Sequence, residues 1–215
     1  MSATFTIDLW SDVVCPFCYL GRRQLALAVA QFEHGADVVV HHRAFELDPH
    51  SPATYDATLD ELVAAKYALP VGRAHAMHER LEESAAALGM TWSLASARPS
   101  NTFDAHRALA LAATQGLADQ LSDRFFRAYF CEGELMSDRH RLNALAGEVG
   151  VAGIDELWLG DAFSTNVRAD GAAAQELGVT GVPSMLVDGR FMVVGAQGTQ
   201  QMLDVLTRAW TRRTA

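Results

Sequence analysis

The sequence predicts an α/β fold that is interrupted by an all-helical segment, and three patterns along the chain support this prediction. Near the N-terminus, a strand pattern, a helix pattern and a second strand pattern follow one another, as in a right-handed parallel β-α-β unit. The long middle section then shows helical periodicity. Further on, Asp188-Gly189 separates two short apolar runs, which is the strongest short-range signal for a β-hairpin.

The β-α-β unit follows from residue type and spacing. Residues 4–10 alternate apolar and polar side chains and are rich in β-branched and aromatic residues, which is typical of a strand. Residues 20–32 carry Leu and Ala at helical spacing, and Gly35 follows as a stop signal. Residues 36–44 are β-branched again and form the second predicted strand.

The middle of the chain is predicted to form helices only. Thr58 followed by Glu61 is a capping-box pattern, and Ser137 is the expected N-cap of a later helix. The predicted helices after the second strand cover residues 58–66, 70–88, 102–115, 117–131, 137–149, 161–178 and 199–212. The expected α/β domain consists of residues 1–48 together with residues 152–215. The expected helical insertion consists of residues 51–150.

The composition is that of an ordinary globular protein with an acidic balance. Half of the 215 residues are hydrophobic, 20% are charged, and the formal net charge is −9. The negative charge argues against nucleic acid and anionic membranes as partners. No apolar stretch approaches the length of a transmembrane helix, and the N-terminus lacks the pattern of a signal peptide, so we expect a cytoplasmic protein.

The chemistry of the chain is concentrated in Cys15-Pro16-Phe17-Cys18, which lies where the first predicted strand gives way to the first helix. Pro16 fits the first turn of a helix, where a missing N–H costs nothing. Cys15 is therefore expected at the N-terminal end of the helix, and Cys18 about one turn further along. The N–H groups and the helix dipole at this end stabilise a thiolate.

This placement predicts different roles for the two cysteines. Cys15 is expected to be the nucleophile, with a pKa below the value of about 8.5 of a free thiol, whereas Cys18 stays protonated until it is needed. Cys15 would form a mixed disulfide with a substrate, and Cys18 would resolve it by closing a bond to Cys15. We therefore interpret both as catalytic residues of thiol–disulfide exchange.

A metal site is the alternative for a cysteine pair, and the sequence disfavours it. A structural zinc site needs four ligands, and the third cysteine, Cys131, has no cysteine near it in the sequence. We predict that Cys131 is an inert buried thiol. The residues His75, His78 and Glu79 share one face of a predicted helix without a fourth ligand. We interpret them as a solvated face and expect Met77 to pack inside.

Four segments, in order along nearly the whole chain, resemble one family. The segment D-V-V-C-P-F-C-Y-L-G around the cysteine pair is similar to the active-site signature of the DsbA family of thioredoxin-fold oxidoreductases, and specifically of its cytosolic FrnE-like branch. The other three segments are S-N-T-F-D-A-H-R, G-V-T-G-V-P-S and V-V-G-A-Q, at residues 100–107, 178–184 and 193–197. The resemblance implies a thioredoxin-like fold with an inserted all-helical domain.

The resemblance also implies where a substrate binds. Pro183 stands where thioredoxin-like proteins carry a cis-proline beside the catalytic pair. With a cis bond, Val182 would offer its backbone N–H and C=O to a peptide lying across Cys15. An exposed apolar patch is expected around Phe17 and Pro183, and Pro16 is a further expected substrate-binding residue.

Asn101 and His106 belong to the segment S-N-T-F-D-A-H-R at residues 100–107. The resemblance to the DsbA family implies that the helical domain overhangs the catalytic thiols. On one interpretation both residues bind substrate, and His106 contacts a substrate anion or tunes Cys15. On the other, Asn101 caps a helix and His106 is a buried, hydrogen-bonded side chain. Both interpretations stay open at this point.

The predicted function is that of a thiol–disulfide oxidoreductase or isomerase that acts on peptide or small-molecule substrates. Glutathione is the expected redox partner, and no metal or bound cofactor is needed. The alternative is a glutathione-dependent protein like the kappa-class transferases and 2-hydroxychromene-2-carboxylate isomerases, which share this fold. Those relatives carry a serine near the position of Cys15, so the retained cysteine pair favours redox chemistry.

Three further expectations complete the prediction. Phe17 supplies neither charge nor hydrogen bond to a thiolate, so we expect an intermediate reduction potential, nearer that of an isomerase than that of a strong oxidant. The pair could instead act only as a redox switch of a binding module. A homodimer is a possible assembly.

Overall fold

The structure, a computed structural model, describes residues 4–214 and has the thioredoxin-like α/β fold that the sequence predicts. Its elements in chain order are β1 (Phe5–Ser11), α1 (Pro16–Gln31), β2 (Val38–Ala44), α2 (Leu59–Tyr67), α3 (Val71–Ala86), α4 (Phe103–Ala113), α5 (Ala118–Glu132), α6 (Arg139–Val149), α7 (Ile154–Leu157), α8 (Ser164–Glu176), β3 (Ser184–Val187), β4 (Phe191–Val194) and α9 (Thr199–Thr214). Among the described residues, no helix is long and apolar enough to cross a membrane.

The four strands form one mixed sheet in the order β2-β1-β3-β4. β1 and β2 run parallel, with Phe5 opposite Val38, and α1 connects them. β3 is antiparallel to both β1 and β4. Asp188 and Gly189 form the turn between β3 and β4 with φ values of 50° and 64°, in the left-handed region that such tight turns require. The predicted hairpin is therefore confirmed.

Helices cover both faces of the sheet. The core on the side of α1 and α9 includes Phe5, Ile7, Leu9, Leu25, Met185, Val187 and Leu206. On the other face, Trp10 packs against Ala174 of α8. The backbone carbonyl of Asp170 in α8 accepts a hydrogen bond from Trp10 Nε1 at 3.0 Å, and its carboxylate accepts one from the Ala44 amide at 3.0 Å. These contacts hold α8 on β1 and β2.

The chain divides into two compact units. We call residues 4–47 and 165–214 the sheet unit and residues 48–164 the helical unit. Residues 152–164, which the sequence analysis assigns to the α/β domain, lie in the helical unit. The reason is that Arg107 of α4 donates hydrogen bonds to three backbone carbonyls within this segment. A helix as short as α7 has too little periodicity to reveal this attachment in the sequence.

Two helix starts in the helical unit have side-chain caps that can be compared with the predicted ones. At the start of α2, the Thr58 hydroxyl accepts from the Glu61 amide, and the Glu61 carboxylate accepts from the Thr58 amide at 2.8 Å. This is the predicted capping box. At the start of α6, the Asp138 carboxylate accepts from the His140 amide at 2.9 Å. The prediction of Ser137 as N-cap is therefore wrong, because the neighbouring carboxylate takes that position.

One face of α3 also differs from the prediction. His78 is buried, with 6% of its surface exposed, whereas Met77 is 41% exposed. The Asp60 carboxylate of α2 accepts hydrogen bonds from Nδ1 of His78 and, at 2.9 Å, from Nδ1 of His75. The interpretation of His78 as solvated is therefore wrong, because the Asp60 carboxylate satisfies the hydrogen-bonding capacity of the buried imidazole. The expectation that Met77 packs inside is also wrong.

Candidate active site

The cysteine pair occupies the first turn of α1. Cys15 is the N-cap, with φ −90° and ψ 116°, and Pro16 takes the first helical position. The Cys15 carbonyl accepts hydrogen bonds from the amides of Cys18 at 3.0 Å and Tyr19 at 3.3 Å. This turn places Cys18 within hydrogen-bond reach of Cys15, and both side chains are free thiols.

The surroundings of the two thiols differ in a way that separates their chemistry. Cys18 is fully buried, and Cys15 is 4% exposed. Burial is the largest cause that raises the pKa of Cys18 well above its usual value, and the neighbouring Cys15 and the charge of Asp12 raise it further. A hydrogen bond from the Asp12 backbone N–H acts in the opposite sense. Cys18 is therefore a neutral thiol at physiological pH, as the sequence analysis predicts.

A loop that precedes β3 meets the cysteine pair. The Val182–Pro183 peptide bond is cis, as predicted from the resemblance. The Val182 carbonyl accepts a hydrogen bond from Cys15 Sγ at 3.7 Å. The Gly195 amide donates to the Pro183 carbonyl at 2.7 Å, which ties the loop to the end of β4. The structure thus brings Cys15, Cys18, Val182 and Pro183 together within the sheet unit.

Phe17 and Pro183, which the sequence analysis places in one exposed apolar patch, differ in exposure. Phe17 is 50% exposed, whereas Pro183 is buried. The ring of Pro183 packs against Gly21 of α1 so closely that a Cβ added at Gly21 would lie 2.8 Å from Pro183 Cγ. The prediction of an exposed Pro183 is therefore wrong, because the absence of a side chain at Gly21 lets α1 cover the proline. Pro16 is partly buried.

Asp12 is a residue of this site that the sequence analysis misses. It is 1% exposed, and its carboxylate accepts a hydrogen bond from the Leu47 amide at 2.8 Å. Its carbonyl accepts one from the Cys15 amide at 3.1 Å, and its N–H donates to the Cys18 sulfur. A carboxylate in an otherwise apolar stretch three residues before Cys15 is the signal that could have identified it, since buried carboxylates are rare.

Asn101 and His106 belong to the helical unit. The Asn101 side-chain oxygen accepts from the Phe103 amide at 2.9 Å, and its Nδ2 donates to the Ser51 carbonyl at 3.1 Å. Asn101 therefore has a capping role at the start of α4. His106 is 3% exposed on α4. The suggested part of these two residues in substrate binding stays a prediction.

Cys131 does not have the surroundings that the sequence analysis expects. It is exposed, and its thiol donates a hydrogen bond to the Thr91 carbonyl at 2.9 Å. Desolvation is the main cause that raises its pKa, and the adjacent Glu132 adds to the effect. The prediction of a buried thiol is therefore wrong, because Cys131 lies in the last turn of α5, on its solvent side. Across residues 4–214, no group of three or more His, Cys, Asp or Glu side chains could hold a metal ion.

A sheet with helices on both faces, a thiol pair at the start of α1 and a neighbouring cis-proline together define a thioredoxin-fold protein. The sequence model of the DSBA-like thioredoxin domain family matches residues 6–207, so the chain belongs to that family. The chain is similar to the crystal structure of a probable DsbA oxidoreductase from Streptomyces coelicolor, with 34% sequence identity between the two chains and a TM-score of 0.93. The match covers 98% of this chain and 92% of that chain.

Two more distant structures share the fold. The cytosolic disulfide reductase DsbM from Pseudomonas aeruginosa is 20% identical, and the match covers 98% of this chain and 100% of that one with a TM-score of 0.66. A 2-hydroxychromene-2-carboxylate isomerase is 17% identical, with 97% of both chains covered and a TM-score of 0.68. Because these identities are low, the two structures establish similarity of fold and nothing finer.

Proposed function

We propose that this protein is a thiol–disulfide oxidoreductase or isomerase in which Cys15 is the nucleophile and Cys18 the resolving thiol. The observation that carries the proposal is the asymmetry of the pair on the first turn of α1. Cys15 is the N-cap of α1 and contacts the Val182 carbonyl, and Cys18 is buried one turn further along with a raised pKa. Membership of the DSBA-like family supports the same chemistry.

The first step is an exchange at Cys15. Its thiolate attacks one sulfur of a substrate disulfide, a new S–S bond forms between Cys15 and that sulfur, and the other sulfur leaves as a thiolate that takes up a proton. The proton lost by Cys15 balances the one gained by the leaving thiol. No net oxidation has occurred at this point, because one disulfide has replaced another.

The second step is the closing of the pair. Cys18 loses its proton, attacks Cys15 Sγ and forms the Cys15–Cys18 disulfide, and the substrate sulfur leaves as a thiol. The substrate disulfide is then reduced to two thiols, and the protein is oxidised by the same two electrons. The reverse sequence oxidises a dithiol substrate. An isomerase cycle needs only the first step followed by attack of another substrate thiol on the mixed disulfide.

The substrate-binding residues proposed on this side of the site are Pro16, Phe17, Val182 and Pro183. Phe17 offers an exposed aromatic ring one residue before Cys18. The Val182 carbonyl already accepts a hydrogen bond from Cys15, so a peptide that pairs with the Val182 backbone would pass directly over the thiol. Asn101 and His106 are retained as proposed binding residues from the family resemblance. Unchanged turnover in a His106→Ala variant would count against that role.

Glutathione is the proposed redox partner, and the exchange steps require no bound cofactor or metal. The DsbM of Pseudomonas aeruginosa has also been solved with GSH, and in that structure the similar chain is 22% identical with a TM-score of 0.62. The similar fold supports testing glutathione with this chain. Assignment to the FrnE-like branch and to the cytoplasm stays a prediction.

A second candidate is a glutathione-dependent isomerase or transferase, because a 2-hydroxychromene-2-carboxylate isomerase shares the fold. In that chemistry Cys15 would not close onto Cys18, and glutathione would stay bound or conjugated. The presence of two free thiols one turn apart favours the redox function, since the isomerase chemistry does not use a second thiol.

The test is the redox equilibrium of the pair in glutathione buffers, quenched by alkylation and measured by intact mass in a Cys131→Ser background. We expect clean conversion between the dithiol and the Cys15–Cys18 disulfide. Cys18→Ser should accumulate a glutathione adduct at Cys15, and Cys15→Ser, the matched control, should accumulate far less. A pair that never closes, with a stable glutathione adduct on the unaltered pair, would favour the isomerase or transferase.

A further inference from the structure

Leu159, in the turn that follows α7, is the most exposed large hydrophobic side chain among residues 4–214. It is 86% exposed, and the next in order, Tyr67, is 57% exposed. A partly exposed apolar side chain is common on a protein surface. One that stands almost wholly in water gains hardly any of the free energy that burial provides, so it has the most to gain from contact with a partner.

The backbone around Leu159 is fixed by a buried charge. Arg107, which is 3% exposed, donates hydrogen bonds at 2.7 Å to the carbonyls of Leu157 and Gly160, one on each side of Leu159. The Leu159 amide itself donates to the Glu156 carbonyl at 3.1 Å. A side chain on a fixed backbone leaves less conformational entropy to be lost on binding. Leu159 is therefore preorganised as an anchor for a partner.

A groove of about 560 Å³ adjoins the same turn, and all its lining residues belong to the helical unit. One wall is a face of α6 that includes Ala144 and Gly147, and the other is the segment 151–155, with the apolar side chains of Val151 and Ile154. A Cβ added at Gly147 would meet nothing within 4 Å, so this position in the middle of α6 opens into free space. The groove can therefore accept an apolar side chain from another molecule.

Leu159 and the groove lie on one face of the helical unit. The Glu156 carboxylate reaches the groove, since a Cβ added at the lining residue Gly153 would lie 3.8 Å from Glu156 Oε2. Residues 156 and 159 are joined by an i→i+3 hydrogen bond, and side chains three residues apart in such a turn eclipse one another. Leu159 therefore projects on the same side as Glu156. A projecting side chain and a groove on one face are what a self-complementary, isologous interface requires.

We propose that this face is the contact surface of a two-fold homodimer, in which Leu159 of each copy enters the groove between α6 and residues 151–155 of the other. We call it the α6–α7 face. The inference goes beyond the function proposed above, and it assigns the cysteine pair no part in the association.

The charges of the α6–α7 face favour a second copy as the occupant. The chain carries a net charge of −9, so two copies repel each other over most of their surfaces. This face carries both signs instead. Arg139, at the start of α6, is half exposed and lies over the ring of Trp158, whereas Asp155 and Glu156 lie on α7. A two-fold axis can set the start of α6 in one copy against α7 in the other, so that opposite charges meet.

The experiment is sedimentation velocity of the full chain over a range of concentrations, under reducing conditions and in a Cys131→Ser background, so that no disulfide joins two copies. Leu159→Ala removes the anchor, and Gly147→Leu fills the groove from its own chain. The matched control is Leu177→Ala, because Leu177 is also an exposed leucine, at 47%, but belongs to the sheet unit. Circular dichroism checks that each variant is folded.

We expect the parent to dimerise with a Kd of about 10 to 100 μM, since one side chain anchors each half of a small interface. Leu159→Ala and Gly147→Leu should each weaken dimerisation by about thirty-fold or more, which is the loss typical of a hot spot. Leu177→Ala should leave the Kd unchanged.

A mixture of the two weakened variants gives the sharpest test. The Leu159→Ala copy keeps an open groove, and the Gly147→Leu copy keeps its anchor, so a mixed dimer regains one of the two contacts. We expect the mixture to associate more tightly than either variant does by itself. A general loss of stability would not be repaired by mixing.

Three results would overturn the inference. A parent that stays monomeric at about 1 mM would show that no second copy occupies the groove. A dimer that neither Leu159→Ala nor Gly147→Leu weakens would place the interface elsewhere. A mixture that associates no more tightly than the separate variants would show that Leu159 and the groove do not meet.

Discussion

Gly21 sets how closely α1 approaches the loop that carries Pro183. A Cβ at this position would lie 2.8 Å from Pro183 Cγ and 3.7 Å from Met185 Cε, and a proline ring has little freedom to move away. The position of the cysteine turn relative to Val182 therefore depends on a residue three positions after Cys18, in the middle of a helix where glycine is otherwise unfavourable.

We predict that Gly21→Ala destabilises the protein by about 1 to 3 kcal/mol through overpacking. The matched control is Gly171→Ala in α8, where a Cβ would meet nothing within 4 Å, so that this variant should be more stable by about 0.5 to 1 kcal/mol. Urea unfolding of both variants measures the difference. Equal behaviour of the two would show that the contact with Pro183 carries no energy.

Phe17 is expected to contribute to substrate binding and not to stability. It is 50% exposed, so Phe17→Ala should leave the unfolding midpoint almost unchanged. We predict a fall of about five- to thirty-fold in kcat/KM for a peptide disulfide, which corresponds to about 1 to 2 kcal/mol of lost contact. Tyr67→Ala, at a side chain that is 57% exposed in the helical unit, is the control and should retain full turnover.

Among the elements, α2 and α3 are joined by one shared carboxylate. Burial by itself would raise the pKa of Asp60, but the hydrogen bonds from His78 and His75 outweigh it and lower the pKa. The hydrogen bond to Asp60 is the largest cause that raises the pKa of His75. The charges of Asp60, Glu79 and, more weakly, Glu82 raise it further, and desolvation lowers it slightly. The pairing of the two helices should therefore depend on pH.

The sign of this dependence follows from the two shifts. The contribution of His75 is fully present below its unfolded pKa of 6.5 and is lost as the pH rises through the higher folded value. The contribution of Asp60 is present above its unfolded pKa of 3.8 and is lost as the pH falls through the lower folded value. We predict that NMR titration gives His75 a pKa above 6.5, which returns towards 6.5 in Asp60→Asn.

Arg107 connects α4 to the segment around α7. It is 3% exposed and donates to the carbonyls of Leu157 and Gly160, both at 2.7 Å, and of Ala162 at 2.9 Å. Its partner Asp104 lies one turn away on α4, with its carboxylate 2.8 Å from the guanidinium. Arg107 is the last residue of the segment S-N-T-F-D-A-H-R, one of the four segments that resemble the DsbA family, and it thus has a structural role.

We predict that Arg107→Ala costs about 1 to 3 kcal/mol, because it removes the donor of three backbone carbonyls, that of the buried Leu157 among them, and one of the two arginine partners of Asp104. Arg139→Ala is the matched control, since Arg139 also pairs with Asp104, at 2.7 Å, but is half exposed. Its loss should cost no more than about 1 kcal/mol. Unfolding by urea, followed by circular dichroism, distinguishes the two. Similar losses would show that the burial of Arg107 does not matter.

For the molecule as a whole, the reduction potential is the quantity that decides its direction of action. Burial disfavours negative charge at Cys18, and Phe17 supplies none of the hydrogen bonds that would stabilise a thiolate. We predict an intermediate potential of about −180 mV, close to that of a disulfide isomerase. The glutathione equilibrium measures it. A value near −120 mV would make the protein a strong oxidant, and one near −270 mV a reductant like thioredoxin.

Much of the architecture could be predicted because the signals are local. Alternation identified β1 and helical spacing identified α1, since each pattern reflects burial on one face of a single element. Asp188-Gly189 identified the hairpin, since the turn requires positive φ angles. Predictions about individual side chains were less successful. His78 was expected to be solvated and is buried, whereas Cys131 was expected to be buried and is exposed. Burial depends on which neighbouring element covers a given face of a helix, and a local pattern does not show this.

The sequence by itself determined the class of fold, the family and the placement of the thiol pair, because the strand-to-helix junction and Pro16 fix the backbone around Cys15 and Cys18 locally. Only the tertiary structure decided what surrounds that pair. It brings the Pro183 loop to α1 at Gly21 and buries Asp12 against the Leu47 amide, over separations of 162 and 35 residues. Contacts over such separations depend on chain packing, which no local pattern encodes.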